Sequence, residues 1–167
     1  RFREDGVAGL VGGAERDTAA REWLAELESR ELVALRQGPG EGGERSYVFR
    51  HDLLREAAYA MLTDADRALG HRLAGAWLEA HGERDPTVLA SHFEKGGEPR
   101  RAARWHLQAA EAAFEGDALD GAIDHAERAL SSGASGEERG RAQLLLAEAR
   151  RWKDDVVSGE GHALEAV

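Results

Sequence analysis

The side chains that could do acid–base or metal chemistry in this chain are seven histidines and 32 carboxylates, without a single cysteine. Five histidines lie 10 to 19 residues apart, on segments that the sequence pattern assigns to different helices: His71, His81, His92, His106 and His125. None of them stands in a His-Glu-x-x-His motif or in another metal-ligand pair. Solvated or core histidines explain this spacing better than a metal site, and we expect no metal.

The carboxylates and hydroxyls predict no catalytic site either. The acidic groups concentrate at predicted helix starts, where a negative charge opposes the helix dipole. The serines stand in no nucleophile-elbow motif. No phosphate loop of the form Gly-x-x-x-x-Gly-Lys-Ser/Thr occurs, and neither Lys95 nor Lys153 is followed by Ser or Thr. We therefore expect no enzyme activity and no cofactor in this segment; an all-helical enzyme would need a convergent polar pocket that the pattern does not indicate.

One histidine differs from the others because it stands beside an aspartate at a predicted helix start. His51 and Asp52 come directly after a strand-like run and open a helical pattern. An imidazole at a helix N-terminus can donate to a phosphate, and the helix dipole adds to that attraction. Two interpretations stay open: His51 binds a phosphate group while Asp52 caps the first turn, or His51 merely caps or packs at the edge of the hairpin.

Charge and hydropathy exclude several classes of protein. A formal net charge of -10 and a pI near 5.2 argue against nucleic-acid binding, which depends on concentrated Lys and Arg. With a mean hydropathy of -0.54 and no apolar window of about eighteen residues, no membrane span is predicted. The absence of cysteine suits a cytoplasmic protein. The first residues include neither an initiator Met nor a signal peptide, which predicts a piece of a longer protein.

The composition also favours helices over strands. The chain has 31 Ala and 19 Leu but only eight Val and one Ile, and the first two have the higher helix propensity. Residues 17–50 predict a helix and then a β-hairpin, because two short apolar runs flank a Gly/Pro-rich loop. A helix followed by a hairpin is how a winged-helix module ends. We therefore expect a mainly α fold whose first domain, residues 1–50, is a winged-helix remnant with a small hairpin.

From residue 51 onward the pattern is one helix after another, separated by recognisable caps and breakers. Thr63 is predicted to cap a helix whose buried face includes Leu69 and Leu73. Asp85-Pro86 supplies a cap followed by a proline in the first turn of the next helix. We expect a helical adapter over residues 51–97. Beyond it, the last full helix should end near Trp152, before the glycines at 159 and 161.

Residues 101–134 form a predicted helix pair of repeat length. Ala110, Ala122 and Ala129 fall where two helices must cross closely, and the segment 122–130 resembles the second helix of a tetratricopeptide repeat. Residues 98–167 are therefore expected to be an antiparallel, TPR-like solenoid whose last repeat is truncated. In such repeats the first helices line a groove, which predicts a protein or peptide partner at Arg104, Leu107 and Glu111.

Aromatic residues recur along the predicted helices and could line a ligand cage. The set comprises Trp77, Phe93, Trp105, Phe114 and Trp152. Each lies on the stripe of its helix that the periodicity turns inward, so core packing is the stronger interpretation.

Three strings together resemble one family. Residues 47–59 (YVFRHDLLREAAY), 67–72 (RALGHR) and 89–97 (LASHFEKGG) are similar to the region after the nucleotide-binding core in bacterial signal-transduction ATPases with numerous domains. The resemblance implies a winged helix that packs on the ATPase core, with His51 of the His51-Asp52 pair touching the β-phosphate of ADP. In several such proteins a serine/threonine kinase domain comes first and tetratricopeptide repeats follow.

The predicted function is regulatory. We expect a non-catalytic interaction segment that couples partner binding on TPR-like helices to the nucleotide state of an upstream ATPase domain, with ATP or ADP bound only in the parent protein. The alternative is a winged-helix, DNA-binding regulator with a helical dimerisation arm. Its wing, residues 38–45, would carry Glu41 and Glu44 against Arg45, whereas a DNA-binding wing should be basic.

Overall fold

The computed structural model describes residues 1–12, 16–37 and 45–165. It is about 75% helical, which confirms the mainly α fold, and it contains a small antiparallel sheet. The chain divides into two compact units, Arg1–Gly82 and Glu83–Val167. The predicted boundaries after residues 50 and 97 do not coincide with this division, because the helix at 86–95 packs with the helix that follows it.

The first unit places a three-stranded sheet among four helices in its described part. Its elements are β1 (Phe2–Arg3), α1 (Glu4–Val11), α2 (Asp17–Ser29), β2 (Val33–Gln37), β3 (Arg45–Phe49), α3 (Asp52–Ala60) and α4 (Asp64–Ala80). β3 is the central strand and pairs antiparallel with both β1 and β2. The β2–β3 pair confirms the predicted hairpin, whereas β1 and α1 were not predicted. Residues 38–44 of the predicted wing lie outside the described residues.

The core of this unit forms between α2 and the sheet. Leu24, Val33 and Tyr47 are almost fully buried and pack together. Phe2 lies opposite Tyr47 across β1 and β3, and the two rings stack with centroids 6.0 Å apart. A strand of two residues is too short to show an alternating apolar and polar pattern, so the sequence does not predict β1. The structure shows it through the pairing of Phe2 with Tyr47.

Helix α1 packs on α4 through glycine. A Cβ added at Gly9 would lie 2.5 Å from Cδ1 of Trp77, so the indole occupies the space that a side chain would need. The glycines of α1 give it a low helix propensity, which is why the sequence pattern did not predict this helix. The close approach of Trp77 explains why position 9 is a glycine. Leu69 and Leu73 lie earlier on α4 and remain 43% and 38% exposed, so the prediction that both are buried was wrong.

The second unit consists of four successive helices. They are α5 (Pro86–Lys95), α6 (Pro99–Glu115), α7 (Leu119–Ser131) and α8 (Gly136–Glu165). The predicted caps are confirmed: Oδ1 of Asp85 accepts from the Thr87 amide at 2.9 Å, and in the first unit Oγ1 of Thr63 accepts from the Asp66 amide at 3.2 Å. These contacts satisfy amides that a helix leaves without an internal partner.

Each helix of this unit packs on its neighbours in the chain, and α8 also packs on α6. Ala110, Ala122 and Ala129 are fully buried, which allows the helices to approach closely. Phe93 and Trp105 are buried as well, and Trp77 and Phe114 are partly buried. Trp152 is 51% exposed, so its predicted place in the core was wrong. The periodicity of α8 predicts an apolar stripe that includes Trp152, but no other helix in the described part of the chain covers that end of the stripe.

Helix α8 is longer than predicted. The expected end near Trp152 was wrong, because the helix runs without interruption from Gly136 to Glu165. Glycine lowers helix propensity by about 1 kcal/mol relative to alanine, but it removes no backbone hydrogen bond. Gly159 and Gly161 therefore weaken the helix without ending it, as a proline would.

Candidate functional site

His51 stands at the start of α3, as the sequence predicted. It is the N-cap residue, with extended φ and ψ of -134° and 131°, and it is exposed. Its carbonyl oxygen accepts from the Leu54 amide at 3.1 Å. The His51 side chain itself makes no capping hydrogen bond. His51 is therefore accessible from solvent in the described part of the chain.

Asp52 does not cap this helix. It is the first residue of α3, and its carboxylate lies 3.5 Å from NH1 of Arg55. The prediction that Asp52 caps the first turn was wrong, because the cap position falls on His51. A carboxylate in the first turn favours the helix but repels an incoming phosphate, and Arg55 offsets that repulsion.

Helix α3 has an unusual surface for a helix of a folded unit. None of its residues is buried. Leu53 is 77% exposed and Met61, directly after the helix, is 86% exposed. Further exposed apolar side chains lie close by in the sequence: Tyr59, Leu62, Leu69 and Leu73. We call these six residues the α3–α4 apolar set.

Polar contacts, rather than burial, hold α3 to α4. The Tyr59 hydroxyl lies 2.9 Å from Nε2 of His71. Arg67 donates from Nε to the Leu62 carbonyl at 3.1 Å, and its guanidinium lies 5.3 Å from the centre of the Tyr59 ring. These contacts fix the turn between the two helices while leaving the apolar side chains of α3 exposed.

The three residues predicted to line a partner groove do not all lie on an open surface. Arg104 is exposed, but Leu107 is only 3% exposed and packs with Ala129 and Ala142. The carboxylate of Glu111 is already paired with Arg141 of α8. The prediction was wrong for Leu107, because α8 packs on α6 and closes that face.

The structure brings together two histidines that the sequence spacing had separated. Nδ1 of His106 on α6 lies 3.1 Å from Nδ1 of His125 on α7. His106 is 1% exposed, and its other ring nitrogen, Nε2, has no hydrogen-bond partner among the described residues. Oε2 of Glu94, the group that Arg128 also binds, lies 3.7 Å from that nitrogen.

A sequence signal for this pair existed. His106 lies ten residues before Gly116 and His125 lies eight after Asp117, so both are nearly equidistant from the break between α6 and α7. Ala110 and Ala122 also lie at nearly equal distances from this break, and closer to it. In an antiparallel helix pair, residues at equal distances from the turn face each other. Counting from the turn would have paired the two imidazoles.

The surroundings of the pair favour neutral imidazoles. Burial is the largest cause that lowers the pKa of His106, and the Arg128 guanidinium lowers it further while Glu94 raises it. Burial also lowers the pKa of His125, against an opposing effect of Asp124. The hydrogen bond to Glu94 raises the pKa of Arg128 above its ordinary value. The centre therefore combines two neutral imidazoles with one ion pair.

Neither site has the ligand set of a metal centre. Within the described ranges, no group of three or more His, Asp and Glu side chains is placed to hold a metal ion. In the same part of the chain, no helix has both the length and the apolar composition needed to cross a bilayer.

A comparison with protein-family models, curated proteins and solved structures finds no match to this chain.

Proposed function

We propose that this chain is a non-catalytic regulatory and protein–protein interaction segment of a larger signalling ATPase. Its partner in cis is the upstream ATPase domain, which holds ATP or ADP, and its TPR-like helices take a protein or peptide partner. The chain itself needs no cofactor or metal for this role. The protein acts in the cytoplasm.

The exposed apolar side chains of α3 are the observation that carries this proposal. Exposed Leu and Met are costly to leave in water, and their clustering on α3 and the residue directly after it is typical of a surface that another protein covers. His51 caps the same helix. The family resemblance implies that this histidine touches bound ADP, so an ATPase domain that meets His51 would also cover Leu53.

The second unit supports an interaction role of a different kind. Four helices stack in chain order, and the small residues Ala110, Ala122 and Ala129 let neighbouring helices pack closely. Such stacking is typical of repeat proteins, which use their extended surfaces for binding. Arg104 remains exposed on α6 and can contact a partner, whereas Leu107 supports the helix from inside.

Regulation in this arrangement requires a difference in affinity. A partner that binds the second unit changes the nucleotide state only when it prefers one arrangement of the parent protein over the other. Tight binding without such preference would shift nothing. The same coupling makes ADP binding alter the affinity for the partner by an equal factor.

The first experiment tests the apolar contact. In the parent protein, we expect Leu53→Asp with Met61→Asp to shorten ADP retention by about tenfold or more, because each buried Leu or Met contributes about 1.5 to 3 kcal/mol. Both side chains are exposed in the chain alone, so its helical content should not change. Leu144→Asp is the matched control, since Leu144 is 61% exposed on α8. Equal ADP retention in all three proteins would contradict the proposal.

A second experiment separates nucleotide sensing from docking. His51→Ala should shorten ADP retention while leaving the helical content of the 167-residue chain unchanged, because His51 is exposed and caps α3 with its backbone. Retention equal to that of the unsubstituted protein would remove His51 from the nucleotide site. The apolar contact would still be tested by the first experiment.

A further inference from the structure

We propose that the His106–His125 pair is an acid-sensitive lock between α6 and α7, so that proton uptake loosens the second unit. This inference is independent of the proposed function. It rests on the 3.1 Å contact between the two Nδ1 atoms and on the burial of His106. The third observation behind it is that the buried Nε2 atom of His106 faces Glu94.

The contact requires a particular arrangement of hydrogens. A hydrogen bond between two Nδ1 atoms needs one N–H and one lone pair. Glu94 decides which ring donates, because a lone pair on Nε2 of His106 would be repelled by the carboxylate at 3.7 Å, whereas an N–H would be attracted. His106 is therefore the Nε2–H tautomer, and His125 donates from Nδ1.

Protons disturb this arrangement in two steps. A proton added to His106 places an N–H on its Nδ1, so His125 must give up its Nδ1 hydrogen and become the other tautomer. A second proton leaves two N–H groups facing each other across 3.1 Å, with no acceptor between them. The doubly protonated pair cannot keep this hydrogen bond, and its loss weakens the packing of α6 on α7 there.

The charged groups around the pair come from the helices that pack against α6. From the α5 side, Glu94 favours a proton on His106 and Asp85 favours one on His125. From α7, Asp124 acts like them, whereas Arg128 opposes protonation of both rings. Burial is nevertheless the largest influence on both imidazoles and favours their neutral forms.

The remaining neighbour, α8, packs on α6 and α7 through apolar contacts and through ion pairs. Ala142 of α8 packs with Leu107 and Ala129. Its charged side chains bind carboxylates elsewhere on those helices: Arg141 binds Glu111, Arg150 binds Glu127 and Lys153 binds Asp120.

The sign of the pH effect follows from the lowered pKa of each imidazole. Below the unfolded pKa of about 6.5, the unfolded chain binds protons that the folded pair does not. Stability is therefore highest above that pH and falls as the pH decreases through it. Each imidazole that stays neutral in the folded unit changes the unfolding equilibrium by about tenfold between about pH 7.5 and about pH 5.5. That factor corresponds to about 1.4 kcal/mol.

Hydrogen exchange of the whole 167-residue chain tests the lock in the unit that contains it. We expect the protection of α6 and α7 amides, corrected for intrinsic exchange, to fall by about tenfold or more between about pH 7.5 and about pH 5.5. His81→Asn is the control, because His81 is exposed and lies in the first unit. It should leave the decrease in α6 and α7 unchanged. His106→Asn with His125→Asn should abolish most of it.

Nitrogen-15 NMR of the unsubstituted chain tests the same lock without any substitution that could disturb folding. We expect neutral His106 to carry its hydrogen on Nε2 and neutral His125 to carry it on Nδ1. Both should remain neutral at about pH 5.5, where a free imidazole with a pKa of about 6.5 is mostly protonated. The opposite tautomers, or two imidazoles that take up protons at the pKa of a free imidazole, would overturn the proposal, as would α6 protection that does not depend on pH.

Discussion

Truncation of Leu107 distinguishes a core residue from a groove residue. Leu107 is 3% exposed, and its neighbours Ala129 and Ala142 are fully buried. Leu107→Ala removes three carbon atoms, which costs about 2.4 kcal/mol in transfer free energy alone. The methyl groups of these alanines cannot reach into the space by changing rotamer, so a cavity cost adds to this. We expect a total loss of about 3 to 4 kcal/mol.

Arg104→Ala on the same helix is the matched control. Arg104 is exposed, and a surface truncation away from a cap or a network changes stability by about 0.5 kcal/mol or less. Urea unfolding of both variants, followed by helical circular dichroism and by amide NMR peaks of α6, gives the two free energies. The NMR peaks are needed because the chain has two compact units that can unfold separately. A loss below about 1 kcal/mol for Leu107→Ala would refute its place in the core and restore the groove interpretation.

Three further outcomes follow from the fold. Gly9→Ala should destabilise the first unit, because the added Cβ would lie 2.5 Å from Cδ1 of Trp77. Gly70→Ala should stabilise this unit by about 0.5 to 1 kcal/mol, since no atom lies within 4 Å of the position that its Cβ would take. Thermal unfolding checks the two signs, and equal signs would contradict the packing of Trp77 on α1. Asp85→Ala should cost about 1 kcal/mol of the second unit's stability in urea unfolding, because the amides of Thr87 and Val88 lose their acceptor; an unchanged free energy would remove the cap. At low salt the chain should not retard a DNA duplex in a gel, because its net charge is -10, and retardation there would favour the DNA-binding alternative.

The local signals predicted elements well where one short segment decides the outcome. Thr63 and Asp85 cap helices because their side chains reach amides two or three residues away, which any sequence window contains. The β2–β3 hairpin was predicted for the same reason, since its apolar runs and its loop are adjacent in the chain. The start of α3 at His51-Asp52 was predicted too, although the cap falls on His51.

Packing partners were harder to predict than elements. Helical periodicity placed Leu69, Leu107 and Trp152 on apolar stripes, but a stripe does not say what covers it. Leu107 is covered by α7 and α8, whereas Leu69 and Trp152 remain 43% and 51% exposed. Strand β1 and helix α1 were missed because two residues carry no period and glycines carry no helix signal.

By itself, the sequence determined the mainly α fold, the hairpin and the caps, because composition, turn residues and capping side chains act over a few residues. Tertiary structure alone decided the rest. It put Leu107 in the core, left Leu53 exposed on α3 and Met61 exposed directly after it, and brought Nδ1 of His106 to within 3.1 Å of Nδ1 of His125. These contacts depend on which helices cover one another, and that choice is made by the sum of many weak packing interactions between segments distant in the chain.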